Sequence, residues 1–137
     1  MKRKWIVYVA ISMIIVCGVW GYYSQSCRDT EVYSTQAIVF DNYHKEKITV
    51  VVNRLYVKNY QACAEEIVEK CRKNDFKSIQ FSYDNSIPNE LDVTVYLNKA
   101  DRNKRRELFS FNYAPKEKND KYNIMENPEN FKLKILP

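Results

Sequence analysis

The chain has 137 residues, of which 14% are aromatic, enough for one small folded domain and hardly for two. Its two glycines are Gly18 and Gly21, so residues 22–137 lack every glycine-rich phosphate-binding loop and the GxSxG nucleophile motif. Three of the 22 basic residues lie at positions 2–4, and the other 19 nearly balance 17 acidic residues. The net charge of +5 therefore gives the rest of the chain little attraction for nucleic acid, and we expect no such partner.

The first predicted element is a membrane-spanning helix over residues 5–23, which carry no charge. A helix of this length would measure about 28 Å, close to the ~30 Å hydrocarbon layer of a bilayer. Trp5 at one end and Tyr22 with Tyr23 at the other match interfacial aromatic belts. The basic flank at residues 1–4 predicts a cytoplasmic N-terminus. We therefore expect a single-pass cell-membrane protein whose C-terminal domain lies outside.

Three other interpretations of this segment remain open. Ser24 and Ser26 have the spacing of a signal-peptide cleavage site before Cys27, which would give a secreted domain. Cys17 follows an apolar run and is a candidate for lipidation, although Val16 before it is unfavourable. The segment could also be the buried core helix of a soluble protein.

A short polar linker at residues 24–32 precedes a domain predicted over residues 33–137. The first predicted strand lies within residues 33–42, and the β-branched run at residues 48–53 predicts the second. Residues 42–47 are charged and predict the turn of a hairpin. His44 would then be a surface residue in that turn.

The spacing of the apolar residues changes to that of a helix over residues 59–74. Apolar side chains repeat there at steps of three and four, with Asn59 and Asn74 suited to begin and end the helix. On such a helix Cys63 and Cys71 lie about 12 Å apart, too far to bridge each other, and we expect both to be small core residues. Cys27 is a candidate for a disulfide with one of them or with another chain.

Alternation of apolar and polar residues returns in the rest of the chain. It predicts strands at residues 79–83, 91–97 and 109–113, with a short final strand at residues 131–135. The fold class is therefore α+β, with one helix packed on a mainly antiparallel sheet in the order ββαβββ after the N-terminal membrane helix.

The single concentration of charge lies at residues 99–106, which link two predicted strands. Its five basic residues are candidates to contact an anionic group or an acidic partner: Lys99, Arg102, Lys104, Arg105 and Arg106. The plainer interpretation is a solvated loop.

These observations favour a non-enzymatic, membrane-anchored module that binds another component of the cell envelope. We expect that component to be a protein. The alternatives are a secreted or lipid-anchored protective domain, a structural tether, or an enzyme that uses Cys27 or a carboxylate pair. No catalytic, metal-binding or cofactor-binding residue is assigned, and we expect no cofactor. The sequence leaves the oligomeric state open.

Overall fold

An N-terminal helix and a five-stranded sheet make up most of the computed structural model, which describes residues 2–26, 29–76, 81, 87–117 and 120–136. The elements in chain order are α1 (Lys2–Ser26), β1 (Glu31–Phe40), β2 (Tyr43–Val51), α2 (Tyr60–Lys73), β3 (Glu90–Tyr96), α3 (Lys99–Asn103), β4 (Phe109–Pro115) and β5 (Phe131–Leu136). A single 3-10 turn at Pro128–Asn130 leads directly into β5. The predicted α+β class is confirmed.

The sheet has the strand order β1-β2-β3-β4-β5 and is mostly antiparallel, as predicted. The exception is the central pair β2 and β3, which run parallel because α2 carries the chain across the sheet between them. The predicted strand at residues 79–83 lies outside the described residues except for Phe81. The predicted final strand is confirmed as β5, which pairs with β4.

The turn predicted at residues 42–47 is wrong, because the hairpin of β1 and β2 turns over only two residues. Asp41 has a φ of 52°, in the left-handed region that short Asp and Asn side chains tolerate, and β2 already begins at Tyr43. Charged residues continue the strand because Lys45 and Lys47 lie on the face of the sheet opposite α2. Their charges therefore stay in contact with water.

Helix α2 has the predicted position and both predicted caps. The Asn59 side chain accepts a hydrogen bond from the backbone N–H of Ala62 at 3.1 Å, and Asn74 ends the helix at a φ of 53°. One face of α2 is buried against the sheet through five residues: Cys63, Ala64, Ile67, Val68 and Cys71.

The sheet is apolar towards α2 and polar on its other face. Buried and half-buried residues alternate along β3 and β4, and Leu91, Val93 and Phe111 are fully buried on the α2 side. We call the face of the sheet opposite α2 the open face. On it, Lys45 lies 3.2 Å from a carboxylate oxygen of Glu90. The predicted division into a helix face and a solvent face is confirmed.

The chain enters the domain at the end of the sheet where β2 and β3 finish. Backbone hydrogen bonds from Val52 to Tyr96 (3.0 Å) and from Arg54 to Leu97 (3.3 Å) extend the β2–β3 contact there. The side-chain amide of Asn53 donates a hydrogen bond to the carbonyl of Asp29 at 2.9 Å, which holds the incoming chain. We call this the entry end, and the opposite end, with the Asp41 turn, the turn end.

None of the described side chains of α1 belongs to the core. The segment Lys2–Tyr23 has the length and composition to cross a membrane, and none of its apolar window is buried. The interpretation of this segment as a buried core helix is therefore wrong. The helix continues to Ser26 and β1 begins at Glu31, so both extend into the predicted linker at residues 24–32.

Candidate functional site

The basic loop of residues 99–106 folds into a short helix and a tight turn rather than the predicted plain loop. Asn98 begins α3, since its side chain accepts a hydrogen bond from the backbone N–H of Asp101 at 2.8 Å. Arg105 has a φ of 57°, and Arg106 donates a backbone hydrogen bond to the carbonyl of Asp101 at 2.8 Å. These contacts order the loop internally, and the loop follows β3 at the entry end.

The structure divides the five predicted basic residues into two groups. The Lys99 ammonium lies 3.5 Å from a carboxylate oxygen of Glu31, and the Arg102 guanidinium stacks 3.4 Å above the ring centre of Tyr33. The side chains of Lys104, Arg105 and Arg106 are exposed, and no carboxylate of the described residues lies within ion-pair distance of them. The first group holds the loop to β1, and the second is available to another molecule.

A cleft of about 390 Å³ lies beside this loop on the open face of the sheet. It is lined by Thr49, Tyr96, Arg102, Asn103 and Arg105. Guanidinium groups recognise phosphate and carboxylate through paired N–H donors, and hydroxyl and amide groups add further donors. The chemistry of this lining fits an anionic group.

Strand β1 presents a second surface, at the edge of the sheet formed by the described strands. Its residues 32–40 carry no charge, and most of its side chains are exposed on both faces. Val39 is 62% exposed and Phe40 45% exposed, near the turn end. Natural edge strands are commonly protected by charges, prolines or bulges, and residues 32–40 of β1 have only the register shift between Val32 and Ser34. This edge therefore suits the docking of another polypeptide.

A polar cluster around the buried Glu46 of β2 was missed by the sequence analysis. His44 is not a surface turn residue, because its Nε2 atom lies 2.7 Å from a carboxylate oxygen of Glu46 on the face of the sheet towards α2. The hydroxyl of Thr35 donates to the other oxygen of Glu46. The i, i+2 spacing of His44 and Glu46 on a strand could have indicated the pair, had residues 42–47 been predicted as strand.

Both cysteines of α2 are buried in the core, as predicted. Burial raises the pKa of the Cys71 thiol to about 12, with a smaller contribution from the Glu46 carboxylate, and burial also raises the pKa of the Cys63 thiol. A nucleophilic cysteine needs a lowered pKa, so the environment of these two favours a packing role. Cys27, the disulfide candidate, lies outside the described residues.

The described residues contain no group of three His, Cys, Asp or Glu side chains that could hold a metal ion. Comparisons with protein-family models, with curated proteins and with solved structures find no match for the chain.

Proposed function

We propose that the protein is a single-pass, membrane-anchored binding module whose α+β domain lies outside the cytoplasm and docks a protein partner of the cell envelope. The observation that carries the proposal is the pairing of the unburied apolar segment of α1 with an edge strand, β1, whose residues 32–40 carry no charge and which begins only a few residues later. A helix that is apolar on all sides is stable in lipid, and an edge strand offers its backbone to a second chain.

The connection between α1 and the sheet is short enough to hold the domain near the bilayer. Asp29, which Asn53 ties to the domain, is only three residues beyond Ser26 at the end of α1. Three residues span at most about 11 Å. The entry end therefore stays near the membrane, and β1 projects away from that end over about 30 Å.

The partner surface lies at the half of β1 nearer the turn end, which includes Val39 and Phe40 and which we call the outer half. A chain added to this edge would gain backbone hydrogen bonds, and the exposed side chains of Val39 and Phe40 would supply apolar contact. The aromatic ring of Phe40 already packs 5.7 Å from that of Tyr43, so part of this surface is pre-ordered. Binding of this kind needs no catalytic group.

Site-specific photo-crosslinking in native membranes tests this function. A photo-reactive residue at Val39 should give a discrete protein adduct, and the added substitution Phe40→Lys should reduce that adduct at least tenfold. The matched control is the same photo-reactive residue at Gln61, an exposed position on α2, which should give no such adduct. Equal adducts from both positions, or adducts insensitive to Phe40→Lys, would show that β1 is not the docking surface.

A further inference from the structure

We propose that the entry end of the domain docks on the anionic lipid headgroups of the same bilayer that holds α1. This inference rests on the proposed membrane span and extends it by assigning a ligand to the basic loop. The contact would fix the orientation of the domain, with its entry end on the membrane and the outer half of β1 pointing away.

Several exposed basic side chains lie at the entry end. Lys104, Arg105 and Arg106 extend from the basic loop, and Arg105 also lines the cleft beside Thr49 and Tyr96. Exposed Lys58 adds a fourth cation, from the loop that follows β2. Basic residues close to an anionic bilayer are each attracted to its surface, and the attraction falls off within about 8–10 Å at moderate salt.

Exposed apolar side chains lie at the same end of the sheet. Leu55 is 45% exposed and Tyr56 59% exposed, in the loop between β2 and α2 that begins at the entry end. Leu and Tyr beside Lys and Arg make up the combination found on protein surfaces that lie in the membrane interface, where an aromatic ring sits at headgroup level. Charge and apolar surface therefore point to the same environment.

The segment that connects α1 to the domain is short enough to keep the entry end within reach of the headgroup layer. Asp29 lies within about 16 Å of Tyr23, the last residue of the apolar segment, if the chain is fully extended after Ser26. The headgroup layer occupies roughly 5–8 Å of that distance. Lys99 and Arg102 hold the basic loop to Glu31 and Tyr33, at the beginning of β1, so the loop stays beside the entering chain.

A lipid headgroup is favoured over a soluble acidic protein as the occupant of the entry end. The bilayer is already adjacent to the entry end by covalent connection, so docking there costs far less translational entropy than capture of a free partner. The phosphate of a lipid headgroup also matches the donors that line the cleft.

A depth measurement on the full chain in nanodiscs tests the proposal. The only tryptophans are Trp5 and Trp20, both in α1, so the variant W5F/W20F/Y56W carries a single reporter at the entry end. Nanodiscs would contain phosphatidylcholine alone, or phosphatidylcholine with about one-third phosphatidylglycerol, each with brominated acyl chains that quench nearby tryptophan. We expect at least twofold stronger quenching in the anionic discs, and relief of that quenching by salt.

Charge reversal identifies the groups responsible. Arg105→Glu with Arg106→Glu should reduce quenching in anionic discs to the level in neutral discs. Lys132→Glu with Lys134→Glu, the same charge change at exposed positions of β5, should leave it unchanged. Thermal unfolding of each variant checks that the fold is retained. Added inorganic phosphate distinguishes a site for free phosphate, which it would saturate, from a lipid surface, whose quenching it should reduce only as much as chloride of equal ionic strength.

Three other results would contradict either lipid docking or the proposed membrane span. Equal quenching in the two kinds of disc, or quenching that survives the reversal at Arg105 and Arg106, would overturn lipid docking while leaving the membrane span intact. Loss of quenching with millimolar phosphate alone would assign the cleft to a free anion instead. Release of the full chain from the discs by alkaline carbonate would overturn the proposed span itself, and lipid docking with it.

Discussion

Helices α1 and α2 both exceed three turns, yet their side chains meet different surroundings. α2 has one apolar face, buried against the sheet through residues such as Ile67 and Cys71, and charged residues on its other side. Residues 5–23 of α1 carry no charge and show no separate polar face, and none of the apolar window of α1 is buried. The comparison teaches that the distribution of apolar residues around a helix indicates its solvent: a stripe fits a sheet, and an all-round apolar surface fits lipid.

The largest expected difference between the helices concerns the stability of the domain. Ile67 on α2 is 1% exposed, so Ile67→Ala should lower the free energy of unfolding by about 2–5 kcal/mol through lost burial and a cavity. The same change on α1, Ile14→Ala, should leave domain unfolding unaltered. Urea unfolding of the full chain in detergent, followed by circular dichroism of the sheet, measures both. A large effect of Ile14→Ala would show that α1 packs on the domain after all.

For membrane insertion we expect the opposite result, in which a substitution on α1 has a large effect and one on α2 has none. An arginine near the centre of a spanning helix costs about 2.5–3.5 kcal/mol, so Ile14→Arg should shift much of the protein from the membrane fraction to the wash. Gln61→Arg, on the exposed side of α2, adds the same charge and should leave fractionation unchanged. If both variants stay fully in the membrane, α1 does not meet the hydrocarbon layer.

A smaller effect is expected at the beginning of α2, where a water-exposed helix end depends on its cap. Asn59→Ala removes the hydrogen bond to the backbone N–H of Ala62 and should cost about 1 kcal/mol in domain stability. Asn59→Asp keeps an acceptor at the same position and should recover most of that loss. Chemical unfolding at neutral pH compares the three proteins, and equal losses for both variants would contradict a capping role.

An effect that appears only at alkaline pH follows from the buried thiol of α2. Because the folded-state pKa of Cys71 is raised to about 12 from an ordinary value of 9.0, the folded state favours the protonated thiol. Its contribution to stability is present below pH 9 and is lost as the pH rises from 9 to 12. One pH unit above the unfolded-state pKa the loss of stability should be on the order of 1 kcal/mol, and Cys71→Ala should remove that part of the pH dependence. An unchanged slope between pH 8 and pH 10 in Cys71→Ala would contradict the assignment.

Local sequence patterns predicted α2 well because every signal agreed there. The apolar stripe and the two asparagine caps all define the same helix, whose contacts are mostly within it or on one face. The alternating residues of β3 and β4 were equally informative, since each strand has one buried and one solvent face.

Long-range contacts explain what the sequence analysis missed. The charges of residues 42–47 resemble a turn, but Glu46 is tolerated in β2 because His44 and Thr35 satisfy its carboxylate. The parallel pairing of β2 with β3 depends on how α2 crosses the sheet, which no local pattern contains. In the basic loop, the five cations were found from composition, but the attachment of Lys99 to Glu31 and of Arg102 to Tyr33 depends on residues more than 60 positions away.

The central claim is that α1 remains part of the mature protein and holds the domain in the membrane. The most direct test is the intact mass of the protein recovered from native membranes after an alkaline carbonate wash. We expect a mass of 16.4 kDa, which includes residues 1–26, in the washed membrane. A protein released by the wash, a mass that lacks residues 1–26, or an acyl adduct on Cys17 at a new N-terminus would contradict it.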